Sequence, residues 1–226
     1  MIGTGTLINA IAIIGGGFFG LGIGSKLKEK TSQTVMHAVA LVVVFLGIQT
    51  AFEGNNLVAI LLGLVIGGII GETLNLEAHL ENLGKTVEKK LKAEKGNFAV
   101  GFVTATILFV VGPMAILGGI QDGIGNGYSI LLTKSALDGL SSIALGASLG
   151  IGVPFSAIPV AIYQGLITLM ANFFGDIASA NVLASLSGSG GILILAIGLN
   201  MLGLTKIRVT NLLPGIILAP IFTLLL

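Results

Sequence analysis

The sequence predicts an all-α, polytopic membrane bundle of about eight transmembrane spans, forming a single transmembrane domain over residues 1–226. Three observations carry that expectation. Of the 226 residues, 54% are hydrophobic and 9% charged, and 35 are glycine. A soluble domain has about a quarter of its residues charged, so this chain has far too little polar surface for a water-facing fold, and glycine is enriched in membrane helices. Eight stretches approach the roughly 20 apolar residues that cross a hydrocarbon layer of about 30 Å. They are 3–24, 33–52, 56–72, 97–118, 130–150, 154–174, 180–203 and 209–226. Finally, ten of the eleven Lys and Arg residues fall in three clusters: Lys26, Lys28 and Lys30; Lys85, Lys89, Lys90, Lys92 and Lys95; Lys206 and Arg208. With eight crossings all three clusters share one face. By the positive-inside rule that face is cytoplasmic, and both termini lie outside.

In chain order, the first stretch has no Lys or Arg before Lys26 and lacks the basic start of a signal peptide, so it is expected to be a retained span. Gly16, Gly20 and Gly24 in span one, and Gly63, Gly67 and Gly71 in span three, recur at steps of four and read as helix-packing faces. Span three is short, with Glu53 and Glu72 at its two ends. Between residues 73 and 96, Leu76, Leu80, Leu83, Val87 and Leu91 form one apolar stripe. This predicts an amphipathic linker helix on the cytoplasmic side, either lying on the lipid interface or solvated between two halves of the chain. Gly112 and Pro113 interrupt span four, because proline lacks an amide donor and glycine weakens a helix. Pro154 and Pro159 are expected to bend span six. The run from Ser187 to Gly191 is expected to loosen one end of span seven and expose its amides, or else to serve packing. Span eight is short.

The two ends of the chain resemble each other. Asn9-AIAIIGGGFF-Gly20 aligns without gaps to Gln164-GLITLMANFF-Gly175, and Phe45-LGIQTA aligns to Ala196-IGLNML. Spans 1–3 would thus repeat as spans 6–8, in inverted orientation because five spans separate each pair. Inverted repeats are common in secondary transporters, with the site near the bilayer midplane. The correspondence sets Asn9 against Gln164 and Gln49 against Asn200. Chance likeness between Gly- and Leu-rich segments is the competing explanation.

Lys134 is the one basic residue outside the clusters. It lies in span five, and Asp138, Ser142, Gly146 and Gly150 follow it at steps of four on one helix face. A charge at the bilayer centre costs roughly 2.5–3.5 kcal/mol on insertion scales, so such a pair marks a functional site by default. Counting from Ile130 at 1.5 Å per residue, Lys134 is about 6 Å deep and able to snorkel to water, while Asp138 is about 12 Å deep. A structural ion pair is the bland alternative. Ahead of this helix, Gln121 and Asp122 sit in a Gly-rich stretch where unwound backbone survives at membrane depth only against protein or a cavity. Asp122 is expected to face Asp138 across an outward-opening cavity; an ordinary outer loop is the alternative. Candidate binding residues are therefore Asp138, Lys134, Asp122, Gln121, Ser141, Ser142, Gln49 and Asn200, suited to a cation or proton.

Other chemistries find little support. Gly15, Gly17 and Gly20 match a dinucleotide-binding spacing but follow no strand. His37 and His79 lack further ligands, so no metal site is expected. There are no cysteines. No catalytic set, cofactor motif or basic patch with interleaved aromatics appears, so neither an enzyme nor a nucleic-acid binder is expected.

Gly112-PMAILGGIQDG, then Leu131-LTKSALDGLSSIALGASLGIGV, with Ser156-Ala157, Tyr163-Gln164-Gly165 and the Thr6-LINAIAIIGGG start, resembles the YdfK/YqgA-type family of bacterial integral membrane proteins. The likeness extends across nearly the whole chain. It implies a bacterial inner (cell) membrane location and brings no catalytic residues with it, the family being a domain of unknown function sometimes described as a possible transporter. Taken together, these readings favour a small secondary transporter, an ion- or proton-coupled carrier of a small solute or cation, working in the lipid bilayer as a homodimer or higher homo-oligomer. An ion channel and a non-transporting scaffold or regulator remain the alternatives.

Overall fold

The structure is a computed structural model that describes residues 2–91, 98–171 and 179–226. Among the described residues the elements are all helical. They are α1 (Thr4–Gly24), α2 (Glu29–Ala51), α3 (Leu57–Thr73), α4 (Leu76–Leu91), α5 (Phe98–Val110), α6 (Pro113–Gly123), α7 (Ser129–Leu149), α8 (Gly152–Phe155), α9 (Ala157–Leu169), α10 (Ala180–Met201), α11 (Val209–Leu212) and α12 (Pro214–Leu225). Among the described residues five helices are long and apolar enough to cross a membrane, up to seven when each of two bent pairs counts as one span, and Val209–Leu225 is a shorter apolar segment.

Many large apolar residues face outward, and small and polar residues share the interior with an apolar core. On α1 the buried residues include Gly5, Thr6, Asn9, Gly17 and Gly20, while Leu7, Ile11, Phe18 and Phe19 are exposed. On α10 the buried set includes Ser185, Ser187, Gly188, Ser189, Gly190 and Gly191. Small and polar groups face protein beside apolar ones such as Ile13, Leu193 and Ile197, while the outward faces are lined by large apolar groups, as lipid requires. The chain is a membrane-embedded helical bundle.

Contacts divide the chain into two compact units, which interleave in sequence. The first comprises Met1–Val35 and Val87–Ala178, the second Met36–Thr86 and Ser179–Leu226.

In the first unit α1 and α7 run parallel. A Cβ at Gly16, Gly20 or Gly24 would overlap the backbone at Gly139, Ile143 and Ala147 respectively, and one at Gly146 would overlap Gly17. The glycine face of span one thus packs on α7 as the sequence predicts. Gly150, placed by its spacing on the face of Asp138 and Gly146, has nothing within 4 Å of where a Cβ would lie and ends α7 at a positive φ of 80°. Against α9 and the short α8 before it, by contrast, α1 runs antiparallel, with Asn9 beside Gln164 of α9 and Gly17 beside Pro154 of α8. The expected break in span four is present. Gly112, at φ 118°, has a conformation that L side chains rarely adopt, and Pro113 starts α6 with its missing amide at a position that needs no partner. The axes of α5 and α6 differ by 63°. In span six, α8 and α9 together form one 18-residue span; Pro159 has no N–H to donate back across the turn at Ser156.

In the second unit α3 runs antiparallel to α12, and Gly63, Gly67 and Gly71 meet the backbone of Ala219, Gly215 and Asn211. Likewise α2 runs antiparallel to α10, with Gly47 on Leu195 and Gly191 on Thr50 and Ala51. The run Ser187–Gly191 therefore lies inside a continuous helix and permits close approach. The expectation of a loosened helix end is corrected: α10 begins earlier, at Ala180, and Ser179 accepts from the Val182 amide as its cap. The amphipathic helix forms as α4, bent 55° from α3, with Asn75 in the left-handed region at φ 50° making the corner. At that corner Asn211 donates to Glu72 at 2.6 Å and accepts from the Glu77 amide at 2.9 Å, and Arg208 pairs with Glu72. The linker's last residues, 92–96, and the Phe173-Phe174-Gly175 end of the repeat alignment lie outside the described residues.

Gly20→Leu is expected to push α1 off α7 and lower stability by about 1–3 kcal/mol, the usual range for overpacking. Gly22→Leu, where a Cβ meets nothing within 4 Å, is the control and is expected to keep the wild-type apparent Tm by circular dichroism in detergent.

Candidate functional site

Lys134, Asp138 and Ser142 share one face of α7, and within the first unit α7 packs on α1, which in turn packs on α9. The Lys134 Nζ lies 3.0 Å from Asp138 Oδ1 and 3.0 Å from Oδ2. Both residues are buried, at 6% and 5% exposure. The expectation that Lys134 snorkels to water is thus corrected: the Asp138 carboxylate one turn away holds its ammonium inside. Asn9 of α1 donates from Nδ2 to Asp138 Oδ2 at 3.0 Å and to Gln164 Oε1 of α9 at 3.2 Å. One turn nearer the start of α1, the hydroxyls of Thr6 and Thr168 are 3.5 Å apart. A polar seam therefore runs from Thr6 and Thr168 through Asn9 and Gln164 to the ion pair and Ser142.

Hydrogen-bond logic fixes the orientation of these groups. A carboxylate only accepts, so the Asn9 amide must turn its nitrogen to Asp138; the second Asn9 N–H then requires the Gln164 oxygen. That leaves Asn9 Oδ1, Gln164 Nε2 and Ser142 Oγ buried without a partner. All three residues are fully buried, at 0% exposure. Unpaired buried polar atoms cost about 1–3 kcal/mol each, so three beside one ion pair form an unspent set of one acceptor, one donor and one hydroxyl.

Asp122 does something other than face Asp138. Its Oδ1 accepts from the Gly3 amide at 3.2 Å and its Oδ2 from the Gly5 amide at 3.0 Å. Gly3, the N-cap residue of α1, has no side chain to satisfy those donors, and a buried carboxylate is favoured at the positive end of the helix dipole. Asp122 thereby anchors the helix that carries Asn9. Gln121 serves α7 in a similar way, accepting from the Ile130 amide at 3.3 Å and exchanging bonds with Ser129. Ser141 is half-buried on the neighbouring face of α7.

Gln49 and Asn200 belong to the second unit and are not part of this cluster. Gln49 is exposed. Asn200 ties the loop after α10, accepting from Thr205 at 2.6 Å and the Ile207 amide at 2.9 Å and donating to the Ile207 carbonyl at 2.7 Å. Conversely, Asn9 and Gln164 join the site although the sequence did not nominate them; the available signal was that the end-to-end alignment set these two amides against each other. Among the described residues no group of His, Cys, Asp and Glu is placed to hold a metal ion.

Lys134→Met alone leaves a buried carboxylate without its cation and is expected to cost about 3–5 kcal/mol. Replacing both charges, as Lys134→Met with Asp138→Leu, is expected to recover most of that loss, as thermal unfolding of the purified variants would show. Asp122→Ala is expected to cost about 0.5–2 kcal/mol and to speed amide hydrogen exchange over the first turn of α1.

A family model described as protein of unknown function (DUF554) matches residues 4–224. The chain is 33% identical over 222 residues to the uncharacterized membrane protein YdfK of Bacillus subtilis (strain 168), covering 96% of this chain and 94% of that protein. It is 31% identical over 222 residues to the uncharacterized protein YqgA of Escherichia coli (strain K12), covering 95% and 94%. No solved structure matches it.

Proposed function

The chain belongs to the DUF554 family of proteins of unknown function, and from that premise we propose that it is a small secondary carrier whose solute or coupling ion engages Asp138. The observation that carries this reading is a set of three unpartnered polar atoms, Asn9 Oδ1, Gln164 Nε2 and Ser142 Oγ: Asn9 bonds the carboxylate of the buried ion pair, Gln164 bonds Asn9, and Ser142 follows Asp138 by one helical turn. Orphaned polar atoms in a water-poor interior are costly, and of the six among the described residues three belong to this seam; the others are Glu77 Oε2, Thr106 Oγ1 and Ser148 Oγ. Lys134 acts as the resident counter-ion with which a ligand competes for the carboxylate. Asp122 and Gln121 position α1 and α7 rather than touch ligand.

Inverted-repeat architecture is part of the proposal. In its support, the repeat-related helices pack in pairs, each within one unit and each antiparallel: α1 with α9, α2 with α10, α3 with α12. Asn9 and Gln164, the aligned mates, bond directly to each other. The reading further places the protein in the bacterial inner membrane with both termini outside, as the three basic clusters suggest, and working as a homo-oligomer.

One observation favours a second reading, a non-transporting scaffold: the pair is buried, and Lys134 contacts both carboxylate oxygens. Flux separates the two. In proteoliposomes under an imposed sodium or proton gradient, the wild type is expected to move a monovalent ion or an amino acid saturably, and Asp138→Asn to abolish that movement while keeping its helical spectrum. Unchanged uptake by folded Asp138→Asn across such a panel would overturn the carrier reading of this site. Flux that never saturates would favour a channel.

A further inference from the structure

We propose, building on the carrier reading, that the ligand is a small zwitterion, an amino acid of glycine or alanine size. It inserts between Lys134 and Asp138, with its ammonium toward Asp138 and Asn9 Oδ1 and its carboxylate toward Lys134, Gln164 Nε2 and Ser142 Oγ.

Charge and the polarity of the unpaired atoms both select this ligand class. Lys134 and Asp138 form a neutral pair, each buried. A lone cation entering beside them would leave one uncompensated positive charge in a water-poor interior, and a lone anion one negative charge. A zwitterion adds none: the one ion pair becomes two, ammonium with Asp138 and carboxylate with Lys134. Hydrogen-bond capacity leads to the same class. The unpartnered atoms are an acceptor, Asn9 Oδ1, a donor, Gln164 Nε2, and a hydroxyl able to do either, Ser142 Oγ. A hard metal cation wants oxygen ligands throughout and would meet an amide donor and an ammonium instead. A simple anion would meet the Asn9 carbonyl oxygen. A ligand that both donates and accepts uses all three, and charge balance then selects a zwitterion over a single ion.

Size follows from the helix packing around the site. A Cβ at Gly16 would overlap the Gly139 carbonyl and lie 3.1 Å from the Ser142 Cβ, and one at Gly139 would lie 3.3 Å from the Ala12 Cβ. With α1 and α7 in near-backbone contact at Gly139, next to Asp138, and at Ile143, next to Ser142, a ligand with a long side chain has no place beside that seam. The Lys134–Asp138 contact is then the closure of the site without ligand, since ligand and pair mate compete for the same groups.

The test uses the full chain in proteoliposomes loaded with radiolabelled glycine or L-alanine, exchanging against external competitors. Glycine and L-alanine are expected to exchange saturably. N-acetylglycine, which lacks the ammonium, glycinamide, which lacks the carboxylate, and acetate, methylammonium, sodium and potassium are each expected to compete at least about tenfold worse, because each leaves part of the site unpaired. The double variant Lys134→Met with Asp138→Leu, in which no buried charge is stranded, is the folded control and is expected to lose exchange. Four outcomes decide. Saturable glycine or L-alanine exchange that is lost in the double variant, with the singly charged analogues weak, supports the proposal. Movement of acetate, methylammonium, sodium or potassium that depends on Asp138 and is insensitive to glycine overturns the zwitterion and leaves the carrier standing. Leucine exchanging as well as glycine overturns the size limit. No saturable movement of any probe, with wild type and double variant alike, overturns both readings.

Discussion

An ammonium and a carboxylate held where hydrocarbon keeps water away impose the constraint on which the first unit depends. Neither charge is tolerable alone, and together they still leave lone pairs and protons that must be met. Bringing a partner to them requires α1 to come close to α7. Glycines at Gly16, Gly20, Gly24 and Gly146 allow α1 to approach almost to backbone contact, which brings Asn9 within reach of Asp138. Gln164 then braces Asn9 from α9. The small residues and the polar residues are two parts of one arrangement, since the first make the distances at which the second can bond.

Asp122 extends that arrangement toward the start of α1. A helix whose N-cap is glycine begins with unsatisfied amides, and a carboxylate from α6 meets two of them. It reaches them because span four breaks at Gly112, which redirects α6 relative to α5. The broken helix, so often read as the site itself, serves here to hold the helix that supplies Asn9. In the second unit the same glycine logic recurs at α3 with α12 and at α2 with α10 without any buried ion pair among the described residues. Its charged cluster, Glu72 with Arg208 and Asn211, lies instead at the corner between α3 and α4.

Much of this was legible in the sequence. Composition and the spacing of apolar runs gave the all-helical membrane bundle; steps of four gave the glycine faces and the shared face of Lys134, Asp138 and Ser142; Gly112 and Pro113 marked the break. Such signals are local, because helix periodicity and backbone chemistry act within a few residues. What required the structure was long-range. Depth counted along a helix put Lys134 near water, but the carboxylate one turn on decides where its ammonium rests. Asp122 looked like a cavity residue because nothing local showed that it meets amides more than a hundred positions earlier. Asn9 and Gln164 were visible as aligned mates, and only packing made them partners of Asp138. Gln49 and Asn200 were nominated by the same alignment, yet one is exposed and the other stitches a loop.

The central claim is that the unpartnered polar atoms around Lys134 and Asp138 are held for a ligand rather than left by imperfect packing. Ser142→Ala tests it most directly, because the substitution removes a fully buried hydroxyl that has no hydrogen-bond partner and barely changes volume. Thermal unfolding and uptake would be measured on the same preparation. If the hydroxyl serves a ligand, stability stays the same or rises while uptake falls; if uptake is unchanged, the unpartnered atoms have no functional use and the account of this site is wrong.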